Sequence, residues 1–120
     1  MNLLELFHIQ TKILTKEAVE LTMEIKEDHQ QPFGIMHGGI NGVLIETACS
    51  MGANEQLDTG FAVGVDLNVN HLRSVTTGNL TVRATPDHIG RTIHVWQAVI
   101  YDEQQQKIAV GRCTMTVRNN

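Results

Sequence analysis

The sequence predicts an α+β fold in which one long helix lies across an antiparallel sheet. Three features predict it. A single stretch, from residue 39 to about 56, repeats apolar residues at three-four spacing over several turns. Four segments of alternating apolar and polar residues follow it, joined by short polar links of the kind that connects antiparallel neighbours. A helix with an apolar stripe and a sheet with an apolar face each need cover, and the simplest solution is that each covers the other.

At 120 residues the chain reads as one domain, 1–120. A hydrophobic content of 42% against 18% charged residues places it among globular chains and not disordered ones. The net charge of −4 and the lack of any basic block argue against nucleic acid as a partner. A phosphate ligand at a local site stays open. The opening residues, MNLLELFHIQTK, place Glu5 inside a short apolar run with no basic lead, unlike a secretory leader. No apolar run approaches the roughly 18 residues of a membrane span. Cys49 and Cys113 fall in helix and strand patterns, as free buried thiols of a reducing compartment do. The expected location is the cytoplasm.

The elements follow in order. Residues 2–7 can form a helical turn that must dock to persist, and residues 8–14 read as an edge strand. Residues 18–25 alternate Val19, Leu21, Met23 and Ile25 against Glu20, Thr22 and Glu24, a half-buried strand. Residues 26–33 form a polar loop, with Pro32 holding Gln31 out of helical conformation. Within the helix, Ile40, Val43, Leu44, Thr47, Ala48 and Met51 make an expected buried stripe. Gly42, Glu46, Ser50 and Ala53 make a second, of small residues with one acid. Gly42 costs helix stability, about 1 kcal/mol against alanine, so close approach of a backbone or ligand is expected there. A turn at 58–60 leads to residues 61–71, with Val63, Val65, Leu67 and Val69 on one face. Then come residues 79–86, residues 92–101 (apolar on both faces and so expected to be central) and residues 107–117. Their links are 74–78, 87–91 and 102–106. The open edges of such a sheet predict pairing between subunits, hence a homo-oligomer.

Glu46 is the first chemical candidate. No lysine or arginine occurs between Gly34 and Leu72, so the helix supplies no ion pair. A partly desolvated carboxylate there suits a base or nucleophile. The second candidate is the helix start at His37, Gly38 and Gly39. Its unpaired N–H groups and glycine backbone can cradle a polarised carbonyl oxygen. Glu46 follows His37 by nine residues, which in a helix is about 13.5 Å and a net half turn. The two therefore face opposite ways, and if both act on one carbonyl they must meet across a two-fold interface. His71 and Arg73, with His88, Ile89, Gly90 and Arg91, form two basic clusters suited to phosphate oxygens at one edge of the sheet. His37, His71, His88 and His94 lack metal-ligand spacing. No Walker or dinucleotide glycine pattern is present. Cys49 and Ser50 lack a partner base, and Trp96 and Tyr101 read as core or interface and not as a base-stacking platform.

QPFGIMHGG with Glu46 beyond it, then GVDLNVNHLRS, HIGR and VWQAVIYDE, resemble the hotdog-fold acyl-CoA thioesterases. The similar branch is that of the hydroxybenzoyl-CoA, dihydroxynaphthoyl-CoA and enterobactin-proofreading thioesterases, and the resemblance spans about residues 17–118. It implies a hotdog fold, a sheet wrapped around one central helix. It also implies a dimer with shared sites and a homotetramer built as a dimer of dimers. By resemblance, Glu46 is the nucleophile or general base. Gln31 and the Gly38 N–H polarise the thioester carbonyl with His37 beside them, and Thr47 and Ser50 are hydroxyls near the acyl group and water. Serine is usual where Thr47 stands. His71, Arg73 and His88–Arg91 match the coenzyme A edge. The implied reaction hydrolyses a coenzyme A thioester, of an aryl or other small acyl group, without metal or redox cofactor. A non-catalytic acyl-CoA-binding module is the alternative; such a binder has no need of Glu46. A hotdog hydratase would call for an Asp/His pairing that is not evident.

Overall fold

The computed structural model describes residues 2–119. In chain order these form helix α1 (Leu3–Leu6), strands β1 (Gln10–Leu14) and β2 (Val19–Glu24), a 3-10 turn at Glu27–His29, helix α2 (Gly38–Glu55), and strands β3 (Phe61–His71), β4 (Asn79–Ile89), β5 (Ile93–Tyr101) and β6 (Lys107–Arg118). The six strands make one antiparallel sheet in the order β1-β2-β4-β5-β6-β3. Helix α2 packs across one face of it, touching every strand. The helix-and-sheet layering expected from the sequence is thus present, with α1 and β1 where short elements were expected.

The core lies between α2 and the sheet. Leu44, Ile45, Ala48 and Ala53 of the helix meet Leu21, Met23, Val82, Trp96, Ile100 and Met115, all buried. Trp96 is fully buried on central strand β5, and a Cβ at Gly52 would collide with its ring. That glycine is needed for contact distance, whatever it costs the helix.

Three expectations need correction. The buried helix face is rotated from the expected stripe: Asn41, Ile45, Cys49 and Gly52 are buried with Ile40, Leu44, Ala48 and Ala53, whereas Val43, Thr47 and Met51 are only half-buried. The helix is apolar nearly all round, so three-four spacing fits more than one face. The second correction concerns β3, which lies at the sheet edge and pairs only with β6. A bulge between Gly64 and Asp66 takes Val65 out of the ladder. Val65 is 55% exposed and Leu67 38%, so the expected apolar face is not buried within the protomer. Third, β4 runs on through Ile89, leaving only residues 90–92 as link. Pro86 is tolerated because β2 has already ended: its pairing stops at Ala84, so no partner on that side needs a proline N–H. Strand β5 is interior as expected, but only His94, Trp96, Ala98 and Ile100 are buried, on one face.

Candidate active site

The loop before α2 is anchored by buried His29. Its Nδ1 accepts the Lys26 N–H at 2.9 Å, its backbone carbonyl accepts the His37 N–H at 2.8 Å, and the Phe7 ring packs edge-on against it at 4.9 Å. Burial pushes the His29 imidazole below its ordinary value, which suits an Nδ1 that must accept. Between these anchors Gln31 is half-buried; its N–H donates to the Ile35 carbonyl at 2.9 Å and its Oε1 accepts the Phe33 N–H.

His37 is the N-cap of α2. Its Nδ1 accepts the Gly39 N–H at 3.0 Å, satisfying one orphan donor of the first turn. The Gly38 N–H has no acceptor among the described residues. The imidazole of His71, at the end of β3, lies over Gly38: a Cβ built there would be 3.1 Å from its Cε1 and 3.3 Å from its Nε2. Gly38, Asn41, His71 and Arg73 line a small cleft of about 130 Å³.

Glu46 opens into a different cleft, of about 500 Å³, lined also by Leu4, Thr47, Ser50, Met51, Val63 and Gly64. The expected partial desolvation of Glu46 does not hold within a protomer, where the residue is exposed. Its carboxylate rests on β3 at Gly64, where a built Cβ would lie 2.7 Å from Oε2. The two clefts share no lining residue. Helix α2 runs alongside β3, bringing Gly38 to His71, Gly42 to Leu67 and Glu46 to Gly64. Close approach at Gly42 is therefore to the Leu67 side chain, 3.7 Å from a built Cβ.

The basic clusters are not brought together in one protomer. His71 pairs with Ala109 of β6, while Ile89 pairs with His94, whose β6 partner is Met115. Ala109 and Met115 lie about 20 Å apart along the strand, so His71–Arg73 and His88–Arg91 sit at opposite ends of the sheet. This corrects the expectation of a single edge. Arg83 and Arg112 are held by Glu20 and Asp87, but neither Arg73 nor Arg91, both exposed, has a carboxylate partner among the described residues.

Asn54 carried no signal in the residue pattern. Its Oδ1 accepts the Ala62 N–H at 2.8 Å and its Nδ2 donates to the Ala62 carbonyl at 3.1 Å and the Ser50 carbonyl at 2.8 Å. The start of β3 is thereby clipped to the helix beside the Glu46 cleft. Asn41 was also missed, because a helical asparagine between apolar neighbours gives no periodic signal. Cys49 and Cys113 are free and buried, as expected. Burial first, then Glu46 and Asp66, pushes the Cys113 thiol up to about 11, and burial pushes Cys49 up as well. Such thiols stay protonated and are poor nucleophiles.

A single long helix packed across a six-stranded antiparallel sheet is the architecture of the hotdog-fold thioesterases. The chain belongs to the thioesterase superfamily, which residues 33–109 match. It is 36% identical over 119 residues to the 1,4-dihydroxy-2-naphthoyl-CoA hydrolase of Listeria monocytogenes, covering 98% of this chain and 97% of that protein. It is 34% identical over 117 residues to the proofreading thioesterase EntH of Cronobacter turicensis, covering 97% of this chain and 85% of that protein. Its fold matches the crystal structure of a thioesterase from Haemophilus influenzae with a TM-score of 0.92 at 38% identity, covering 97% of this chain and 82% of that one.

Proposed function

We propose that the protein hydrolyses acyl-CoA thioesters, of aryl or other small acyl groups, at sites shared between two protomers. The observation that carries this reading is the division of the site along α2. The free Gly38 N–H lies in one cleft and Glu46 in another. A substrate carbonyl can reach both only where two copies meet. The open edge of β3, with Val65 and Leu67 exposed, supports such a meeting. A cytoplasmic dimer, and a dimer of dimers beyond it, is the assembly we infer.

In this site Gln31 and the Gly38 N–H of one protomer polarise the thioester carbonyl, with His37 fixing the turn between them. Glu46 of the partner subunit attacks the carbonyl carbon or takes a proton from the attacking water. The C–S bond breaks, coenzyme A leaves as the thiol once protonated, and water completes the free acid. Thr47 and Ser50 offer hydroxyls to the water and acyl group, and Leu4, Met51 and Val63 supply an apolar wall. Arg73 and the His88–Arg91 link, at opposite ends of one sheet, come together only if contributed by different copies; unpaired Arg73 and Arg91 suit the phosphates of coenzyme A. The reaction as written uses only these groups. The similarity to a dihydroxynaphthoyl-CoA hydrolase supports an aryl substrate.

The test is a panel of coenzyme A thioesters with free thiol detected, run on the wild type and on Glu46→Gln. The variant keeps shape and loses the base, so kcat should fall at least about 10²-fold with KM retained. Near-normal turnover in Glu46→Gln would overturn the catalytic assignment and favour a binding module.

A further inference from the structure

We propose that Asn41 is a positioning residue: it holds His71 as the tautomer protonated on Nε2, so that this ring presents a further donor beside the Gly38 N–H. The purpose of the arrangement rests on the thioester-hydrolysis reading above; its structural half can be tested without turnover.

Asn41 lies on the first turn of α2, 3% exposed, with its Nδ2 3.0 Å from His71 Nδ1. Its Oδ1 is buried with no donor among the described residues. The fold gives no reason for an asparagine here. Asparagine is a poor helix former, and an apolar side chain would fill the same place without an orphan acceptor.

Two orientations of the amide are conceivable, and they set opposite tautomers on His71. As the amide stands, one Nδ2–H donates to Nδ1, and Oδ1 and the second N–H have no partner among the described residues. In the flipped one, Oδ1 accepts from an Nδ1–H and both N–H groups take the buried position of Oδ1. The flip exchanges a buried unpaired acceptor for a second buried N–H, and buried N–H groups are the more rarely left unpaired. The observed orientation therefore prevails. Nδ1 must then accept, and the hydrogen of the neutral ring sits on Nε2. The Cε1–Nε2 edge of that ring is the one lying against Gly38. The Nε2–H and the Gly38 N–H thus both stand at the start of α2, in residues that line the same cleft. Two fixed donors at one oxygen are the arrangement that stabilises a developing oxyanion. Glycine at 38 is what leaves room for the ring. This reading moves His71 from the coenzyme A edge to the carbonyl.

The decisive measurement is long-range ¹H–¹⁵N correlation of the histidine rings at a pH where His71 is neutral, assigned by the signals lost in His71→Gln. The wild type should show an unprotonated Nδ1 and a protonated Nε2 for His71. Asn41→Leu should lose that single-tautomer pattern, and Asn41→Ser, too short to reach the ring, should do the same if leucine does not fold. A protonated Nδ1 in the wild type, or a His71 spectrum unchanged by these substitutions, would overturn the proposal. Stability and turnover give an independent reading. Asn41→Leu removes an orphan acceptor, so Tm should hold or rise while kcat falls about 10-fold, as when a partner that orients a ring is lost. His71→Gln, which keeps an N–H within reach, should lose clearly less turnover than His71→Leu, which should lose about 10²-fold. Tm and kcat falling together in Asn41→Leu, or equal turnover in the two His71 variants, would mark a merely structural pair and overturn the proposal. If the wild type hydrolyses no thioester, the functional reading fails, and the ring spectrum still decides the tautomer.

Discussion

Gly64→Ala puts one methyl group between β3 and the Glu46 carboxylate. A Cβ built at this position lies 2.7 Å from Glu46 Oε2 and 3.7 Å from Cys113 Sγ. Relaxed contacts between non-bonded heavy atoms are near 3.5 Å, so the oxygen must retreat by roughly 0.8 Å. The carboxylate is the free end of a flexible side chain, so it moves and the strand does not. Gly64 is not among the residues with positive φ, so alanine fits its backbone. Removing a glycine restricts the unfolded chain and should stabilise by about 0.4–1 kcal/mol. A reacting group displaced by nearly 1 Å loses up to about 10²-fold in rate. The expected result is therefore a fall in kcat of about 10- to 100-fold with Tm unchanged or raised. Thiol release at saturating acyl-CoA and a thermal melt, run on the same samples, read both. If kcat stays within about twofold of wild type, Glu46 does not work from its place on β3. If Tm falls as kcat falls, the strand does not accept the methyl, and the packing argument is wrong.

Two further predictions bear on the shared site. Arg73→Ala and Arg91→Ala should each raise KM for coenzyme A thioesters and barely affect a pantetheine thioester lacking the nucleotide, because uniform binding is lost far from the reacting bond; equal effects on both substrates would make these arginines structural. Gln31→Ala and Glu46→Gln, each inactive alone, should restore about a quarter of wild-type activity when mixed one to one, because half the dimers are then mixed and each has one intact site. No gain in samples shown by mass spectrometry to contain mixed dimers would place each site within one protomer.

Local chemistry made the start of α2 readable in the sequence. His37 followed by two glycines marks a capped helix, and the structure puts His37 at the cap. Strands β2, β4 and β6 were readable because each has one wet and one dry face. The orientation of α2 was not, because nearly every residue from Ile40 to Ala53 is apolar or small and periodicity needs contrast. The edge position of β3 was hidden for a related reason. Its valines alternate as if for a core, but the sheet order and bulge that leave Val65 and Leu67 exposed depend on pairing with the far end of the chain. Of the candidate site, Glu46 and the glycine-lined helix start were legible by residue type. Asn41 and Asn54 were not, since each acts through a hydrogen bond to a residue distant in sequence or beyond a turn.

The place of β3 in the sheet also has a consequence for the order in which the molecule assembles. Strands β4, β5 and β6 each pair with their neighbour in sequence, so their ladders can close over short loops. Strand β3 has no such neighbour. Its partner is β6, the last strand to be synthesised, and all of β4 and β5 lies between them. On a ribosome α2 emerges long before the sheet that will cover it, and a nearly all-apolar helix waits exposed. The expected course is hairpins first, then docking of α2 through Trp96 and Gly52, and β3 zipped on last. Glu46 has no seat on Gly64 until that final step, so turnover should still be rising in a refolding sample after Trp96 fluorescence has settled; the reverse order would contradict this course.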